Sequence, residues 1–229
     1  MNNEARQRVG TRSYRMVARA KAAEATRDKI LEAARRLFGE LPYDQVSLNA
    51  VAARAGVTVQ TVLRRFGSKE DLLAAVAAWR SARIRAERDA TQVGDLAGAI
   101  ANLVGDYERW GDEVLHFLAQ EDRIPAIREV TQRGRTYHHA WVRRVFAPQL
   151  RRLAPEQQER RIVQLIAATD LYTWKILRRD LGLGHEEVEE ALRDLASQIL
   201  RASPRARSRG APGTSTPTSI PGGKPAIHR

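Results

Sequence analysis

The sequence predicts an all-α protein in which a small helix-turn-helix head precedes a larger helical domain. Apolar residues recur at spacings of three and four along most of the chain, which is the period of an amphipathic helix. About nine segments carry this pattern, and no convincing strand pattern accompanies them. With 229 residues, the chain is long enough to build two domains that each bury a core.

Composition excludes several classes of protein. The chain has no Cys, which rules out disulfides, thiolate metal sites and cysteine nucleophiles. No apolar run approaches the length of a membrane span, and the first residues lack the apolar core of a secretion signal, so we expect a cytoplasmic protein. The formal net charge of +12 points to nucleic acid or to another anionic surface.

Most of the excess charge lies at the two ends of the chain. Residues 1–24 carry a net charge of +4 and residues 201–229 one of +6, so the middle is nearly balanced. Few large apolar residues occur at either end, and the C-terminal end consists largely of Pro, Gly, Ser and Thr. We therefore expect a disordered basic arm over residues 1–24 and a disordered basic tail over residues 203–229. For both segments, contact with DNA and a solvated segment without a binding role remain alternative interpretations.

The first core helix is expected to begin behind a Thr26 cap. Its apolar stripe consists of Ile30, Leu31, Ala34, Leu37 and Phe38. Residues 39–46 contain Gly, Pro and Asp and indicate a connecting loop, with Tyr43 packed beneath it.

Residues 47–66 contain the capping and turn residues of a helix-turn-helix. Ser47 can cap a short helix, and Gly56 follows where a left-handed residue would reverse the chain. Thr58 can cap a second helix, whose Val62 and Phe66 face the first. An ordinary helical hairpin would show the same pattern, so that alternative stays open for this segment alone.

The outer face of the second helix carries Gln60, Thr61, Arg64 and Arg65, side chains that suit base edges and phosphates. Gly67 then ends the helix, and the run from Ser68 to Asp71 predicts a capping box. The helix that follows is expected to continue to about Asp89 and to leave the head.

Residues 26–77 resemble the DNA-binding head of the TetR family of bacterial transcriptional regulators. The resemblance rests on the segments LFGELPYDQVS, VAARAGVT and GSKEDLL and on the closing Phe66. It implies that the helix from Val59 to Arg65 enters the major groove and that Lys69 contacts a phosphate. The implied DNA-binding residues are Ser47, Asn49, Thr58, Val59, Gln60, Thr61, Leu63, Arg64, Arg65 and Lys69.

One departure from the family pattern concerns the DNA contacts. Many relatives have an aromatic pair and then a histidine where this chain has Leu63, Arg64 and Arg65. Two guanidinium groups could replace those phosphate contacts or grip guanine in a bidentate manner. The operator sequence of a relative therefore cannot be transferred to this protein.

Residues 74–202 are expected to form a helical domain for effector binding and dimerisation. Apolar stripes predict helices over residues 95–109 and 112–120, with a break at Gly111. Further helices are expected over residues 125–145, 155–179 and 186–201, two of which start with a proline. By resemblance, the last two pair with their copies in a homodimer, although both stripes could also face the core of the monomer.

By the same resemblance, a small-molecule effector would bind among the helices of the second domain. Its candidate residues are Tyr107, Trp110, His116, Phe117, Tyr137, Trp141 and Tyr172, for each of which core packing is the simpler explanation. We expect no cofactor and no metal, because adjacent His138 and His139 diverge on a helix. No nucleophile elbow or phosphate loop appears, so we expect no enzyme.

We therefore expect a sequence-specific transcriptional regulator, a repressor released from a near-palindromic operator by a small-molecule effector. Two copies of the recognition helix, about one DNA turn apart, would read two half-sites of double-stranded DNA. The alternative is a nonspecific nucleoid-associated protein that binds DNA through its basic ends.

Overall fold

The computed structural model describes residues 3–201 of the chain, with side chains from residue 16 onward, and this part contains helices and no strand. The helices are α1 (Asn3–Glu40), α2 (Leu48–Ala55), α3 (Val59–Phe66), α4 (Lys69–Asp89), α5 (Leu96–Leu118), α6 (Pro125–Val145), α7 (Ala147–Leu150), α8 (Pro155–Ala168), α9 (Leu171–Lys175) and α10 (His185–Arg201). The all-α prediction is confirmed. No helix in this range is long and apolar enough to cross a membrane.

The number of helices also agrees with the prediction. Over residues 3–201, nine helices are longer than one turn, and α7 adds a single turn after α6. A 3₁₀ turn over Tyr43–Gln45 lies between α1 and α2, and a π-helical turn over Ile176–Asp180 continues α9. Two of the predicted boundaries within the second domain differ from those observed.

Two hydrophobic cores hold the described chain together. The larger core lies among α5, α6, α8, α9 and α10, and it buries Trp141 and Trp174 almost completely. The smaller core belongs to the head and is formed by α1 to α4. Phe117 of α5 and Ile127 of α6 are buried in this smaller core, so the head rests on the second domain through shared apolar packing.

The start of α1 differs from the prediction. Where we expected a disordered arm over residues 1–24, the helix already begins at Asn3. The Thr26 hydroxyl donates to the Ala22 carbonyl at 2.8 Å, so Thr26 lies inside the helix and is not its cap. Residues 16–29 contain no Gly or Pro and consist largely of good helix formers, which explains the continuation. The predicted tail over residues 203–229 lies outside the described residues.

The predicted break at Gly111 was wrong, because α5 continues through it from Leu96 to Leu118. A Cβ atom at Gly111 would lie 2.6 Å from the ring of Trp174, which is fully buried. Glycine therefore lets α9 approach α5 and does not end the helix. A packing requirement of this kind leaves no signal in the local sequence.

The prediction of one helix over residues 155–179 was also wrong. Helix α8 ends at Ala168, and the Thr169 hydroxyl donates to the Leu165 carbonyl at 2.7 Å. Asp170 then caps α9, with its carboxylate accepting from the Tyr172 amide at 2.8 Å. Because a Thr-Asp pair offers the backbone local hydrogen bonds that compete with the helix, the chain can turn at this point.

Candidate DNA-binding surface and cavity

Three hydroxyl caps and two left-handed glycines build the head as the sequence predicted. Ser47, Thr58 and Ser68 accept from the amide three residues further on, at 3.1, 3.2 and 3.0 Å. Gly56 ends α2 at a φ of 67°, and Gly67 follows α3 at a φ of 82°. Both values lie where glycine is strongly favoured, so the turn is specified locally.

Helix α3 places its apolar residues inward and a polar face outward. Val62 is fully buried against α2, whereas Gln60, Leu63 and Arg64 are exposed. Of the other predicted DNA-binding residues, Ser47, Asn49 and Thr58 are exposed, and Val59, Thr61, Arg65 and Lys69 are half-buried. The head therefore brings the predicted residues of α3 to one accessible surface.

Arg64 is the freest cation on this surface. Within the described chain, no hydrogen bond or ion pair engages its guanidinium, which keeps five N–H donors for a ligand. Arg65 is half-buried, and its buried Nε atom has no hydrogen-bond partner. The Thr61 hydroxyl lies 3.0 Å from that of Thr58, so Thr61 takes part in the cap as well as in the exposed face.

Lys69 has a structural role that the sequence did not suggest. Its ammonium group donates to the carbonyls of Tyr43 and Val46 at 3.1 Å each, and it lies 4.2 Å from the centre of the Tyr43 ring. The Tyr43 hydroxyl donates in turn to Glu70 at 2.8 Å, and burial together with this contact raises the pKa of Tyr43. Lys69 thus fastens the α1–α2 loop to α4, and one donor remains for the phosphate contact that the resemblance implies.

A cavity of about 520 Å³ lies in the second domain between α4, α5, α6 and the start of α9. Four of the seven predicted effector residues line it, namely Tyr107, Phe117, Tyr137 and Tyr172. Its volume is in the range of small-molecule sites. Four of the seven predicted residues thus lie in the wall, on α5, α6 and α9, whereas the large contribution of α4 was not predicted.

Three predicted effector residues lie elsewhere. The Trp110 ring contacts the guanidinium of Arg35, 5.2 Å from its centre, and His116 lies 3.0 Å from the Leu41 carbonyl. Trp141 is 1% exposed and packs in the larger core. Aromatic residues on one helix can face different neighbours, and their contacts decide which of them reach the cavity.

Five arginines of the cavity wall were not among the predicted effector residues. Arg80, Arg85 and Arg88 of α4 line it together with Arg133 and Arg135 of α6. The three residues of α4 lie on the helix face that also carries Ala77, Ser81 and Ile84, at spacings of three and four. That spacing was visible in the sequence, but a charge on a helix more often faces solvent.

Arg88 is neutralised by a carboxylate in the interior. Its Nε atom donates to Asp106 at 2.6 Å, and the two residues are 5% and 3% exposed. The rings of Tyr107 and Trp141 lie 5.7 and 5.2 Å from its guanidinium carbon. Burial raises the pKa of Asp106, while the charge of Arg88 opposes that shift. This pair is part of the architecture of the cavity wall.

Arg80 has only a long ion pair and no hydrogen-bonded carboxylate. Its side chain is 11% exposed, and its closest carboxylate oxygen, on Glu113, lies 3.8 Å away, beyond hydrogen-bond distance. The other Glu113 oxygen already pairs with Arg35 of α1. No group in the described chain accepts a hydrogen bond from Arg80, and its Nε atom is buried without a partner. Burial lowers the pKa of this guanidinium.

His138 and Tyr137 add buried polar groups to the cavity wall. His138 is 8% exposed, and its Nε2 atom lies 3.2 Å from the Thr169 hydroxyl. Burial, reinforced by the charge of Arg88, lowers the pKa of His138 to about 3, so the ring is neutral at neutral pH. The buried Tyr137 hydroxyl has no hydrogen-bond partner in the described chain, and burial raises its pKa.

Comparisons with known proteins agree with this architecture. Residues 30–76 match the family model of bacterial regulatory proteins of the tetR family. A transcriptional regulator from Rhodococcus sp. Rha1 has a similar fold, with a TM-score of 0.60 at 19% identity over 76% of this chain and 95% of that one. A TetR-like transcriptional regulator from Rhodococcus sp. RHA1 gives a TM-score of 0.58 at 18% identity, over 78% and 97% of the two chains.

No curated relative matches the sequence. The matched segment nevertheless runs from the end of α1 through α2 and α3 into α4, and the similarity of fold extends over both domains. Residues 30–76 therefore match bacterial regulatory proteins of the tetR family, and the fold of the chain is similar to that of solved transcriptional regulators.

Proposed function

We propose that this regulator is a repressor and that a small molecule bound in the cavity releases it from its operator. One observation carries the proposal: α4 begins in the head at Lys69, and further along, the same helix forms one wall of the cavity. A ligand that changes the packing of α4 would therefore change the position of the head. The effector would act through its different affinity for the two arrangements.

The exposed face of α3 would read the operator. Gln60 and Arg64 have free polar groups for base edges, and Leu63 offers an apolar surface for a thymine methyl group. Ser47 and Asn49, at the start of α2, would lie near the DNA backbone. The one remaining donor of Lys69 would supplement these contacts.

Contacts between the head and α5 support the coupling. Phe117 lines the cavity and also belongs to the core of the head. Glu113 pairs with Arg35 of α1 on one side and faces Arg80 of the cavity on the other. The Tyr43 amide donates to the Gln120 side chain at 2.8 Å. An effector that moved α5 would thus act on both α1 and the α1–α2 loop.

A homodimer through α8, α9 and α10 would bring two heads to one near-palindromic operator. Large apolar side chains are exposed here, with Val163 at 63%, Ile176 at 51% and Leu195 at 44%. Their position on α8, on α10 and in the turn after α9 supports an interface over residues 155–179 and 186–201, because association would remove this apolar surface from water. Two identical patches meet naturally about a twofold axis.

The operator proposal is tested with purified full-length protein and DNA that flanks its own gene, against scrambled DNA of the same length near physiological salt. We expect a preference of about a thousandfold, the lower end of the usual specific range. A reporter driven by the preferred sequence should lose expression when the protein is present. Equal affinity for both DNAs, confirmed by selection from random sequences, would favour a nonspecific binder instead.

The interface is tested by sedimentation. Leu195→Glu and Val163→Glu should each shift the protein from dimer to monomer, since a buried charge without a partner opposes association. Val93→Glu is the matched control, because Val93 is 46% exposed but lies outside the last three helices. Dimers that survive both substitutions would place the interface elsewhere.

A further inference from the structure

We infer that the cavity selects an amphipathic organic anion, whose acid group binds Arg80 and Arg85 and whose apolar body fills the space beyond them. The inference deepens the proposed function, since it takes the cavity to be the effector site. It rests on the balance of charge in the wall, on the state of Arg80 and on the apolar surface opposite.

The wall of the cavity has more cations than anions. Among the described residues that line it, five are arginines and one, Asp170, is an acid. The Asp170 carboxylate is already engaged as the cap of α9. Arg88, Arg133 and Arg135 pair with acids outside the wall, whereas Arg80 and Arg85 make no hydrogen bond to any acid of the described chain. Two guanidinium groups are therefore available to a ligand.

Of these two guanidinium groups, that of Arg80 gives the stronger evidence for an anionic ligand. A guanidinium that is nearly buried and makes no hydrogen bond has lost water without receiving a partner, which is costly for folding. Its neighbour Glu113 compensates only in part. One oxygen of that carboxylate pairs with Arg35, and the other, itself buried without a hydrogen-bond partner, lies 3.8 Å from Arg80, within ion-pair range but beyond hydrogen-bond distance. A carboxylate, sulfonate or phosphate within the cavity would supply the missing acceptors in the bidentate geometry that arginine favours.

Arg85 and Tyr137 extend this polar end of the cavity. The guanidinium carbon of Arg85 lies 4.9 Å from the centre of the Tyr137 ring, and the buried Tyr137 hydroxyl has no partner in the described chain. This hydroxyl can donate to an anionic oxygen. Arg85 is exposed, so it lies where an acid group can be attracted from solvent before it reaches Arg80.

The opposite part of the wall is apolar, and it determines the chemistry of the part of the ligand beyond the acid group. It contains Ile84, Val114, Phe117, Leu118, Val130 and Leu171. A fully hydrophilic anion would leave this surface uncovered, and a neutral apolar molecule would leave Arg80 without an acceptor. An organic acid with an aromatic or aliphatic body satisfies both parts.

The test compares matched probes by calorimetry with the purified full-length protein. The acids are 1-naphthaleneacetate, 4-phenylbutyrate and decanoate, and each is paired with its neutral amide. For at least one pair we expect the acid to bind about tenfold or more tightly than the amide, as for a hydrogen bond to a charged group. If no acid binds below 1 mM, or if every pair binds equally, the inference is overturned.

Substitutions then locate the preference. Arg80→Gln should remove the advantage of the acid, and Arg80→Lys should keep part of it. Arg143→Gln, which changes an exposed arginine paired with Glu159 outside the cavity wall, is the control and should leave it intact. A preference that survives Arg80→Gln would overturn the assignment of this residue.

Melting temperatures separate a ligand contact from a structural role. Because Glu113 keeps Arg35 when Arg80 is replaced, Arg80→Gln should change the melting temperature by less than about 3 °C. A large loss would contradict the inference that Arg80 lacks a structural partner. Operator binding is measured separately without probes, so selective DNA binding without acid preference would remove this inference and leave the proposed function standing.

Discussion

The head and the second domain of this protein are specified in different ways. In the head, α2, α3 and α4 begin at hydroxyl caps, and α2 and α3 each end at a glycine with a positive φ. In the second domain, Gly111 makes room for Trp174, and Arg80 faces a cavity that four helices enclose. The first set of signals acts within a few residues, while the second acts between helices.

This contrast separates two tasks of the molecule. The head must hold a short helix in a fixed orientation, for which local hydrogen bonds and turn geometry are sufficient. The second domain must leave a space between helices, and that space depends on which side chains meet across it. The predictions below test the contrast, from the largest expected effect to the smallest.

Within the head, Arg64 is expected to matter for DNA and not for folding. Arg64→Ala should weaken operator binding by about 1–3 kcal/mol and relax specificity at one base position. Its effect on the free energy of unfolding should be small, because the guanidinium has no partner in the described chain. Titration of operator and scrambled DNA measures this, and equal losses on both would contradict a base-reading role.

Lys69 should show the opposite behaviour. Lys69→Met removes both hydrogen bonds to the carbonyls of Tyr43 and Val46, and we expect a loss of about 2 kcal/mol in the free energy of unfolding. Urea unfolding measures this loss. Unchanged stability together with a weaker salt dependence of DNA binding would instead support the phosphate contact implied by the resemblance.

In the second domain, His138 should make stability depend on pH. Its pKa of about 3 in the folded chain lies below the ordinary value of 6.5, so the unfolded chain takes up the proton first. Stability from the neutral ring is complete above pH 6.5 and is lost as the pH falls. By pH 5 the loss should reach about 2 kcal/mol. His138→Gln should reduce the pH dependence of the free energy of unfolding between pH 6.5 and 5. An unchanged slope would mean that other groups cause this pH dependence.

Two glycines of α5 allow a matched comparison. Gly111→Ala should cost about 1–2 kcal/mol, because overpacking against Trp174 exceeds the gain in helix propensity. A Cβ atom at Gly105 meets nothing within 4 Å, so Gly105→Ala should stabilise the protein by about 0.5–1 kcal/mol. Thermal unfolding of both variants shows whether each substitution raises or lowers the stability of the protein. The same sign for both would mean that Trp174 moves aside.

Lys69 and Trp110 show how far sequence patterns reach. Lys69 was assigned to DNA by resemblance and Trp110 to the effector site by its type and position. In the structure, Lys69 holds two backbone carbonyls, and Trp110 contacts Arg35. The predicted cap at Thr26 was wrong, since the residues before it continue the helix. A sequence pattern indicates the local structure that a residue favours. The residues that its side chain contacts depend on segments far away in the chain.

The sequence by itself determined the all-α class, the caps and turns of the head and the inward position of Val62 and Phe66 within it. These features follow from helical periodicity and from hydrogen bonds between near neighbours. The tertiary structure alone decided that α5 passes unbroken through Gly111 and that Arg80 lies nearly buried beside a cavity. Each of these depends on contacts between residues distant in sequence, which no local pattern records.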